Sequence, residues 1–427
     1  MQHAAPLAAQ AALEDTATAA PFITDDAVVL GLLAATLGLV FWTSQSAHPF
    51  WRAFYKFVPA LLLCYFVPSI YNSTGLIDGE ASRLYHVASR YLLPATLALL
   101  CVAVDFKGIL RLGPKALILF FTGTIGVVIG GPLAMFLVGL VSPETVGGET
   151  WRGFAAVAGS WIGGSANQAA MKEAFEIPAE LFGMMVAVDV LVASVWMAVL
   201  LWMAANAKRL DHARGADTSA IDELRARVER FESQHTKNPS LADLMLVVAV
   251  GFGIMGLSHF LATPIAAWFT ANAPHLAVYS LTSTFVWIVV IATILGLLLA
   301  LTPARRLEGV GASKVASVLL YILVATIGMQ MDITAVFSNP GLFLVGFVWI
   351  AFHGSLLLIV AKLIKAPTFF IGVGSMANIG GAASAPVVAS AFHPSLAPVG
   401  VLLAVLGYAL GTFGGWVSGM LMRWVAS

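Results

Sequence analysis

Two glycine pairs interrupt apolar stretches of this sequence, and polar side chains flank both of them. Gly163-Gly164 lies in the run GSWIGGSAN, and Gly380-Gly381 lies in the run SMANIGGAAS. Glycine in a helix costs about 1 kcal/mol relative to alanine, so an adjacent pair predicts a break in the helix. The polar residues around the two breaks are Ser165, Asn167, Gln168, Ser375, Asn378 and Ser384.

Broken helices of this kind can form a binding site inside a membrane. Irregular backbone is tolerated there only where protein or a wet cavity satisfies its polar groups. The freed carbonyls can bind a cation, and the amides at a helix start can bind an anion. Tight packing is the alternative interpretation, because small residues also let helices approach closely in lipid. The hydroxyl and amide side chains beside both pairs favour the binding site.

Asp189 is the most informative single residue. It lies in the apolar run GMMVAVDVLVASVWM, which follows the first break directly. A carboxylate at the bilayer centre costs about 2.5–3.5 kcal/mol, so such residues are usually functional. We expect Asp189 to approach Ser165 and Asn167 and to carry ion coupling, with Asn167 and Asn378 as further ion ligands. Oxygen neighbours suit Na⁺ and an apolar pocket suits H⁺, and a structural role as a helix cap is the alternative.

Composition places these residues in a membrane. Hydrophobic residues make up 59% of the chain and charged residues 10%, and the mean hydropathy is +0.91. These values predict an all-α polytopic membrane protein. The formal net charge is zero, which gives no reason to expect a nucleic-acid partner. Cys64 and Cys101 both lie in apolar segments, so neither a disulfide framework nor a metal site is expected from them.

The apolar segments follow one another in two similar series. An offset of 217 residues carries Gly163 to Gly380 and Phe175 to Phe392, which predicts two copies of one unit. The predicted segments are 27–44, 53–71, 88–104, 115–141, 151–176, 182–205, 241–260, 281–301, 314–331, 341–363, 368–392 and 397–424. The first repeat covers 26–205 and the second covers 241–427.

Charge decides how the segments cross the bilayer. A full crossing at 151–176 would place the basic linker 206–240 outside, against the positive-inside rule. A re-entrant hairpin there places the linker in the cytoplasm and the tail 1–25, which has no Lys or Arg, outside. Each repeat then has about five transmembrane helices and one hairpin, and the two repeats are inverted. The linker run SAIDELRARVERF predicts a short amphipathic helix.

The runs GSWIGGSAN and GSMANIGGAASAP and the apolar segment carrying Asp189 resemble the membrane family called domain of unknown function 819. That family looks distantly similar to sodium–glutamate symporters, 2-hydroxycarboxylate transporters and bile-acid sodium symporters. The resemblance implies scaffold and core domains, often in homodimers, and an elevator-type movement. We assign 26–71 and 241–301 to the scaffold, and 88–205 and 314–427 to the core. The resemblance supplies no substrate.

The leading functional hypothesis is a secondary active transporter that couples Na⁺ or H⁺ to the movement of a small organic solute. No Arg lies in the middle of a span, whereas helix starts attract a single carboxylate, so we expect a carboxylate-bearing solute. The alternatives are a cation/proton antiporter without an organic substrate and a passive channel. No GxGD, HExxH or GxSxG motif is present, so an enzyme is not expected.

The remaining expectations are a multi-pass protein of the cell inner membrane that forms a homodimer, with possible Na⁺ as coupling ion and no cofactor. Some charged residues are weaker candidates for the site. His353 lies within a span and could relay protons, although a lone buried histidine is more often only hydrogen-bonded. Lys172 and Glu173 close the first hairpin and could pair with each other.

Overall fold

The computed structural model describes residues 21–55, 58–79, 81–217, 221, 239–331, 339–393 and 396–426. Within these ranges the regular secondary structure is helical, apart from one isolated β-bridge between Ile23 and Ile77, and turns connect the helices. The predicted amphipathic helix of the linker falls outside the described residues, except for Ile221.

The first half of the chain forms a series of helices that match the predicted segments. They are α1 (Asp26–Ser44), α2 (Ala60–Ser73), α3 (Leu84–Val102), α4 (Pro114–Gly139), α5 (Thr150–Gly163), α6 (Ser165–Ala174) and α7 (Ala179–Ala205). α3 contains a π-helical turn over Ala88–Leu92. The short helix α8 (Ala207–Arg214) begins the linker.

The second half repeats the same order of helices. They are α9 (Leu241–Asn272), α10 (Thr284–Ala300), α11 (Ala312–Gly328), α12 (Gly341–Leu363), α13 (Thr368–Ile379), α14 (Gly381–Phe392) and α15 (Ala397–Ala426). Short helical segments occupy several of the connections, among them Phe106–Leu110, Pro143–Val146 and Pro303–Val310.

Seven helices of the described chain are long and apolar enough to cross a membrane, namely α1, α3, α4, α7, α9, α12 and α15. An eighth span results if α10 is taken together with Pro303–Val310, from which it is bent by 96°. α2 and α11 are shorter apolar helices. The protein is therefore an α-helical multi-span membrane protein, as composition predicts.

One predicted boundary is wrong. α9 continues to Asn272 rather than ending at 260. Pro264 lies inside this helix, and two threonine hydroxyls near it bond to carbonyls of the preceding turn, Thr263 to His259 O at 3.1 Å and Thr270 to Ala266 O at 2.9 Å. Proline is tolerated in membrane helices where neighbouring groups compensate for the lost backbone bond, so a single Pro in a stretch without charged residues does not end α9.

The first glycine pair turns the chain back on itself. Arg152, at the start of α5, donates a hydrogen bond to the carbonyl of Phe175, just after α6, at 3.3 Å. The rings of Trp151 and Phe175 lie 5.4 Å apart between centroids. α5 and α6 are therefore antiparallel and form hairpin 1 (residues 150–175). Gly164 joins them with a φ of +76°, a conformation that glycine adopts at little cost.

The second glycine pair forms an equivalent hairpin. The rings of Phe369, at the start of α13, and Phe392, at the end of α14, lie 5.4 Å apart. α13 and α14 therefore form hairpin 2 (residues 368–392), and Gly381 at its tip has a φ of +57°. The two tips meet, because a methyl group placed on Gly381 would lie only 3.9 Å from the Cα atom of Gly164.

The two hairpins open at opposite ends of the helix bundle. The open end of hairpin 1 contacts the end of α15, where the Arg423 guanidinium lies 5.4 Å from the Trp151 ring. The open end of hairpin 2 contacts the linker, where Asp211 accepts a hydrogen bond from the Thr368 amide at 2.7 Å. α7 connects these two ends, and its 27 residues span about 40 Å.

α4 and α12 run in opposite directions through the bundle. Lys115, in the first turn of α4, donates a hydrogen bond to the carbonyl of Lys365, just beyond the end of α12, at 3.4 Å. Thr145, beyond the other end of α4, lies against Gly341 at the start of α12. α4 and α12 are therefore antiparallel.

The helices pack as two groups. The first helix group consists of α1, α2, α3, α9, α10 and α11, and the second consists of α4–α7 and α12–α15. Contacts within the first group include the Phe41 and Tyr321 rings at 4.6 Å and the Arg90 guanidinium over the Phe285 ring at 4.6 Å. His259 also bonds to the carbonyl of Arg90 at 2.8 Å.

The division into scaffold and core stays a prediction. α3 and α11, which the prediction assigned to the core, pack mainly on helices of the first group. Small residues on the partner helices allow this packing. The backbone of α3 at Ala98 lies close against Gly296 of α10, and such residues allow close helix approach in lipid.

The ends of the bundle differ in charge, which predicts how the protein is oriented. Basic residues are concentrated at the end where hairpin 2 opens, namely Arg52, Lys107, Arg111, Lys115, Lys208, Arg209, Arg214, Arg305, Arg306, Lys314, Lys362 and Lys365. The opposite end carries Arg83, Arg152 and Arg423 together with Glu144, Glu149, Glu176 and Glu180. By the positive-inside rule, we expect the end where hairpin 2 opens to face the cytoplasm.

Cysteine labelling tests this orientation. Lys208 and Asn272 are exposed at opposite ends, and the native Cys64 and Cys101 are buried and can be replaced by alanine. In intact cells, a membrane-impermeant maleimide should label Asn272→Cys, and it should label Lys208→Cys only after permeabilisation. Labelling of both positions from the same side would contradict the orientation.

Candidate functional site

The Asp189 carboxylate is the centre of the polar contacts in hairpin 1. It accepts hydrogen bonds from Ser160 Oγ at 2.6 Å, Trp161 Nε1 at 2.6 Å and Gln168 Nε2 at 3.0 Å. Ser160 and Trp161 belong to α5, and Gln168 belongs to α6. One side chain of α7 therefore holds both limbs of hairpin 1.

These three donors explain how a carboxylate is kept in this environment. Asp189 is only 6% exposed, and a buried charge is very costly unless hydrogen bonds or a partner charge compensate for it. Hydrogen bonds to an ionised acceptor are roughly twice as strong as neutral ones. The site is thus built for a negatively charged oxygen pair, and any species that neutralises the carboxylate must compete with these bonds.

Only part of the predicted surroundings of Asp189 is present. Gln168 reaches the carboxylate, whereas the Asn167 side chain bonds to α15 and to its own hairpin instead. Ser160 and Trp161 were not predicted as ligands. Their signal in the sequence is their place in the run GSWIGG, less than one helical turn before the break.

Asn167 fastens hairpin 1 to α15. Its amide nitrogen donates to the Gly163 carbonyl at 2.7 Å and approaches the Tyr408 carbonyl at 3.5 Å. Its amide oxygen accepts a hydrogen bond from Thr412 Oγ1 at 2.7 Å. Both ends of the amide are therefore engaged, and the side chain is fully buried.

Asn378 fastens hairpin 2 to α4 in the same way. Its amide nitrogen donates to the Gly374 carbonyl at 2.9 Å and to the Phe120 carbonyl at 3.0 Å. Its oxygen accepts from Thr124 Oγ1 at 2.8 Å. Each asparagine thus bonds to a carbonyl of its own hairpin, a carbonyl of a long helix, and a threonine four residues further along that long helix. In this conformation both amides position the hairpins.

Ser375 belongs to a third network, which also includes His353. The backbone carbonyl of Gly123 can only accept, so His353 Nδ1 carries the proton in their 3.1 Å hydrogen bond. In the neutral ring Nε2 then accepts from Ser375 Oγ at 2.8 Å, and Ser375 Oγ accepts from Trp196 Nε1 at 2.8 Å. Both ring nitrogens of His353 therefore have partners within the protein.

The predicted residues that remain accessible lie at the two tips. Gly164, Ser165, Gly380 and Ser384 are partly exposed, whereas Asn167, Gln168, Ser375 and Asn378 are buried. Gly163 has a packing role, because a methyl group there would lie 2.2 Å from Asn167 Nδ2 and 2.7 Å from the Gly407 carbonyl. The packing interpretation therefore accounts for Gly163, and the binding interpretation stays a prediction for the accessible residues.

The charged end of hairpin 1 binds the first helix group. Lys172 is buried, donates a hydrogen bond to the Tyr85 hydroxyl of α3 at 2.6 Å and lies 4.1 Å from the centre of its ring. Glu173 forms an ion pair with Arg90 of α3 at 3.3 Å and lies 3.9 Å from Lys172. Both residues therefore connect hairpin 1 to α3 in addition to approaching each other.

The oxygen atoms around Asp189 define what the site can bind. Among the described residues, no group of three or more His, Cys, Asp or Glu side chains converges on one point. A proton can be accommodated by turning the Ser160 hydroxyl, which can donate or accept. Na⁺ would require oxygen ligands, and Asp189, Ser160 and a rotated Gln168 amide can supply them.

These features define the class of protein. It is an α-helical, multi-span membrane protein in which two helical hairpins meet beside a buried carboxylate. A family model described as Protein of unknown function (DUF819) matches residues 31–425. The chain belongs to this family, which confirms the resemblance to domain of unknown function 819, while the distant similarity to sodium symporters stays a prediction.

A relative in Bacillus subtilis (strain 168) is described as the uncharacterized membrane protein YjcL. It is 24% identical to this chain over 371 residues, which cover 82% of this chain and 88% of the relative. The match extends over most of both proteins, and the relative too is described as a membrane protein.

Substitution of Asp189 tests its structural part in the site. Asp189→Ala leaves three buried donors without their acceptor and should lower the stability of the detergent-solubilised protein by about 3 kcal/mol. Asp189→Asn keeps one oxygen acceptor and should lose less. Ser194→Ala is the matched control, because Ser194 lies on the same helix and bonds only to its own backbone at Val190. A thermal midpoint of Asp189→Ala equal to that of the parent would show that Asp189 does not stabilise hairpin 1.

Substitution of Gly163 tests the close packing at the first tip. Gly163→Ala should destabilise the protein by about 1–3 kcal/mol, because the added methyl group overlaps Asn167. Gly38→Ala in α1 is the control, since a methyl group there meets no atom within 4 Å. Thermal unfolding in detergent measures both, and equal midpoints for the two variants would show that hairpin 1 adapts without cost.

Proposed function

We propose that the protein is a secondary active transporter that couples a Na⁺ or H⁺ gradient to the movement of a small carboxylate-bearing solute. The observation that carries the proposal is the meeting of two hairpin tips, from opposite ends of the bundle, beside the buried Asp189. One hairpin covers each face of such a site. Each face can then open while the other stays closed, as alternating access requires.

The arrangement of the two halves supports an inverted-repeat transporter. The helix order is the same from α1 to α7 and from α9 to α15, and α4 and α12 are antiparallel. Inverted repeats with broken helices at corresponding places form substrate sites in many secondary transporters. In this proposal each repeat contributes five crossing helices and one re-entrant hairpin, in the cell inner membrane.

The two helix groups support an elevator-type movement. We assign the first helix group to the scaffold and the second, which carries both hairpins and Asp189, to the moving core. The contacts between Lys172 and Tyr85 and between Glu173 and Arg90 hold the core against the scaffold in this conformation. α9 of the scaffold exposes Leu246, Phe260 and Trp268, and we assign this surface to lipid and to the second copy of a homodimer.

The solute site lies between the tips in this proposal. α6 begins at Ser165 and α14 begins at Gly381, so two helix starts converge on the same place. The positive end of a helix dipole stabilises a carboxylate without a basic side chain. The Ser165 and Ser384 hydroxyls and the backbone at Gly164 and Gly380 are partly exposed there and can orient the solute.

Coupling follows from the position of Gln168. This residue lies in the first turn of α6, next to the proposed solute site, and it also bonds to Asp189. A cation or proton that neutralises Asp189 weakens its hold on Gln168 and Ser160, and therefore changes the position of the α6 start. Binding of the ion and binding of the solute therefore both change the position of the α6 start.

Transport in proteoliposomes tests the proposal. Radiolabelled monocarboxylates and dicarboxylates are offered under an inward Na⁺ gradient, an inward H⁺ gradient or no gradient. We expect saturable accumulation of at least one of them under one gradient, and at least a tenfold loss of that accumulation in Asp189→Asn, with Ser194→Ala unchanged.

Other outcomes separate the alternatives. Exchange of Na⁺ for H⁺ without any organic solute would identify a cation/proton antiporter, in which Asp189 alone carries both ions. Solute flux that does not saturate and does not depend on the Na⁺ or H⁺ gradient would identify a channel. Full gradient-driven uptake by Asp189→Asn would leave transport possible but would remove Asp189 from the coupling mechanism.

A further inference from the structure

A polar cavity lies at the end of the bundle where hairpin 2 opens. It has a volume of about 320 Å³ and lies between the short helix Phe106–Leu110 and the segment that follows α10. Lys107, Thr302, Arg305 and Arg306 provide its polar walls, and Phe106 and Leu301 are among its apolar walls.

The charge of this cavity is positive. Three cationic side chains line it, and Asp105 forms an ion pair with Arg305, so two positive charges remain in excess. The other acidic residue of the segment, Glu308, accepts hydrogen bonds from the amide and hydroxyl of Ser313. Lys107 and Arg306 are exposed and are placed to bind an anion.

The geometry of the chain places the cavity at the membrane surface. α10 crosses the bundle, and the segment Pro303–Val310 leaves its end at an angle of 96°. A segment perpendicular to a spanning helix runs along the bilayer surface. Leu301 lines the cavity, and Leu110 ends the short helix whose other end lines it. These two apolar side chains are 70% and 69% exposed and can contact lipid at this level.

We propose that this cavity binds the phosphate group of an anionic phospholipid. Lys107, Arg305 and Arg306 contact the phosphate, and the acyl chains extend along Leu301 and Leu110. Basic pockets between membrane helices are known sites for anionic head groups, and the apolar side chains beside this one favour a lipid over a soluble phosphate. The inference requires that the protein lies in a membrane and does not depend on the transport function.

Native mass spectrometry of the detergent-solubilised protein tests the proposal. The protein is exposed to equal amounts of phosphatidylglycerol and phosphatidylethanolamine with the same acyl chains. The parent should retain phosphatidylglycerol at least fivefold more than phosphatidylethanolamine. Lys107→Gln combined with Arg306→Gln should abolish this preference, since it removes the two excess charges and keeps the Asp105–Arg305 pair.

Two controls keep the result interpretable. Lys208→Gln with Arg209→Gln removes two exposed charges at the same end outside the cavity and should retain the preference. Lys107→Arg with Arg306→Lys keeps the charge and should also retain it, which excludes a folding defect as the cause.

Two results would overturn the proposal. Equal retention of the two lipids by the parent would show that the cavity does not select an anionic head group. Inorganic phosphate that stabilises the lipid-free parent as strongly as phosphatidylglycerol does, with the effect lost in Lys107→Gln/Arg306→Gln, would identify a site for a soluble anion instead.

Discussion

The structure depends on one carboxylate and its three donors. Asp189 holds α5 through Ser160 and Trp161 and holds α6 through Gln168, all within 3.0 Å. In a hydrocarbon environment an unpaired charge or donor cannot form hydrogen bonds to water, so these groups are stable only when they bond to one another. These bonds fix hairpin 1 to the spanning helix α7. Without such partners its polar groups would be unsatisfied in lipid. Neutralising the carboxylate is correspondingly the simplest way to release the hairpin.

The asparagines supply the remaining constraint. Asn167 donates to the Gly163 carbonyl at the first break, and Asn378 donates to the Gly374 carbonyl within α13. Each asparagine also accepts from a threonine on a long helix. Both hairpins are therefore held near their tips, and the partly exposed glycines and serines at the tips remain for a ligand. In the proposed transport function, the asparagines position the site, the serines and backbone amides bind the solute, and Asp189 binds the ion.

The sequence predicts the frame of this site well because its signals are local. The glycine pairs Gly163-Gly164 and Gly380-Gly381 have polar neighbours in sequence, unlike the pair Gly130-Gly131, which lies inside the continuous helix α4. A lone Asp189 in an apolar run is costly in any fold. The partners of these groups are not local. Thr412 is 245 residues from Asn167 in the sequence. Whether Ser160 or Ser165 faces Asp189 depends on how the hairpin is rotated against α7, and residue spacing does not determine that rotation. The packing of α3 on the first helices is non-local in the same sense, since it consists of contacts with α9 and α10.

The central claim is that the tips of the hairpins become accessible from one side of the membrane at a time. The most direct measurement is the reaction rate of Ser165→Cys with an impermeant thiol reagent, applied to either face of sealed vesicles, in a protein that lacks Cys64 and Cys101. The account predicts reaction from each face at rates that shift in opposite directions when Na⁺ or pH is changed, and a loss of that shift in Asp189→Asn. Reaction rates that are equal from both faces and do not change with Na⁺ or pH, as expected of an open pore, would contradict this claim.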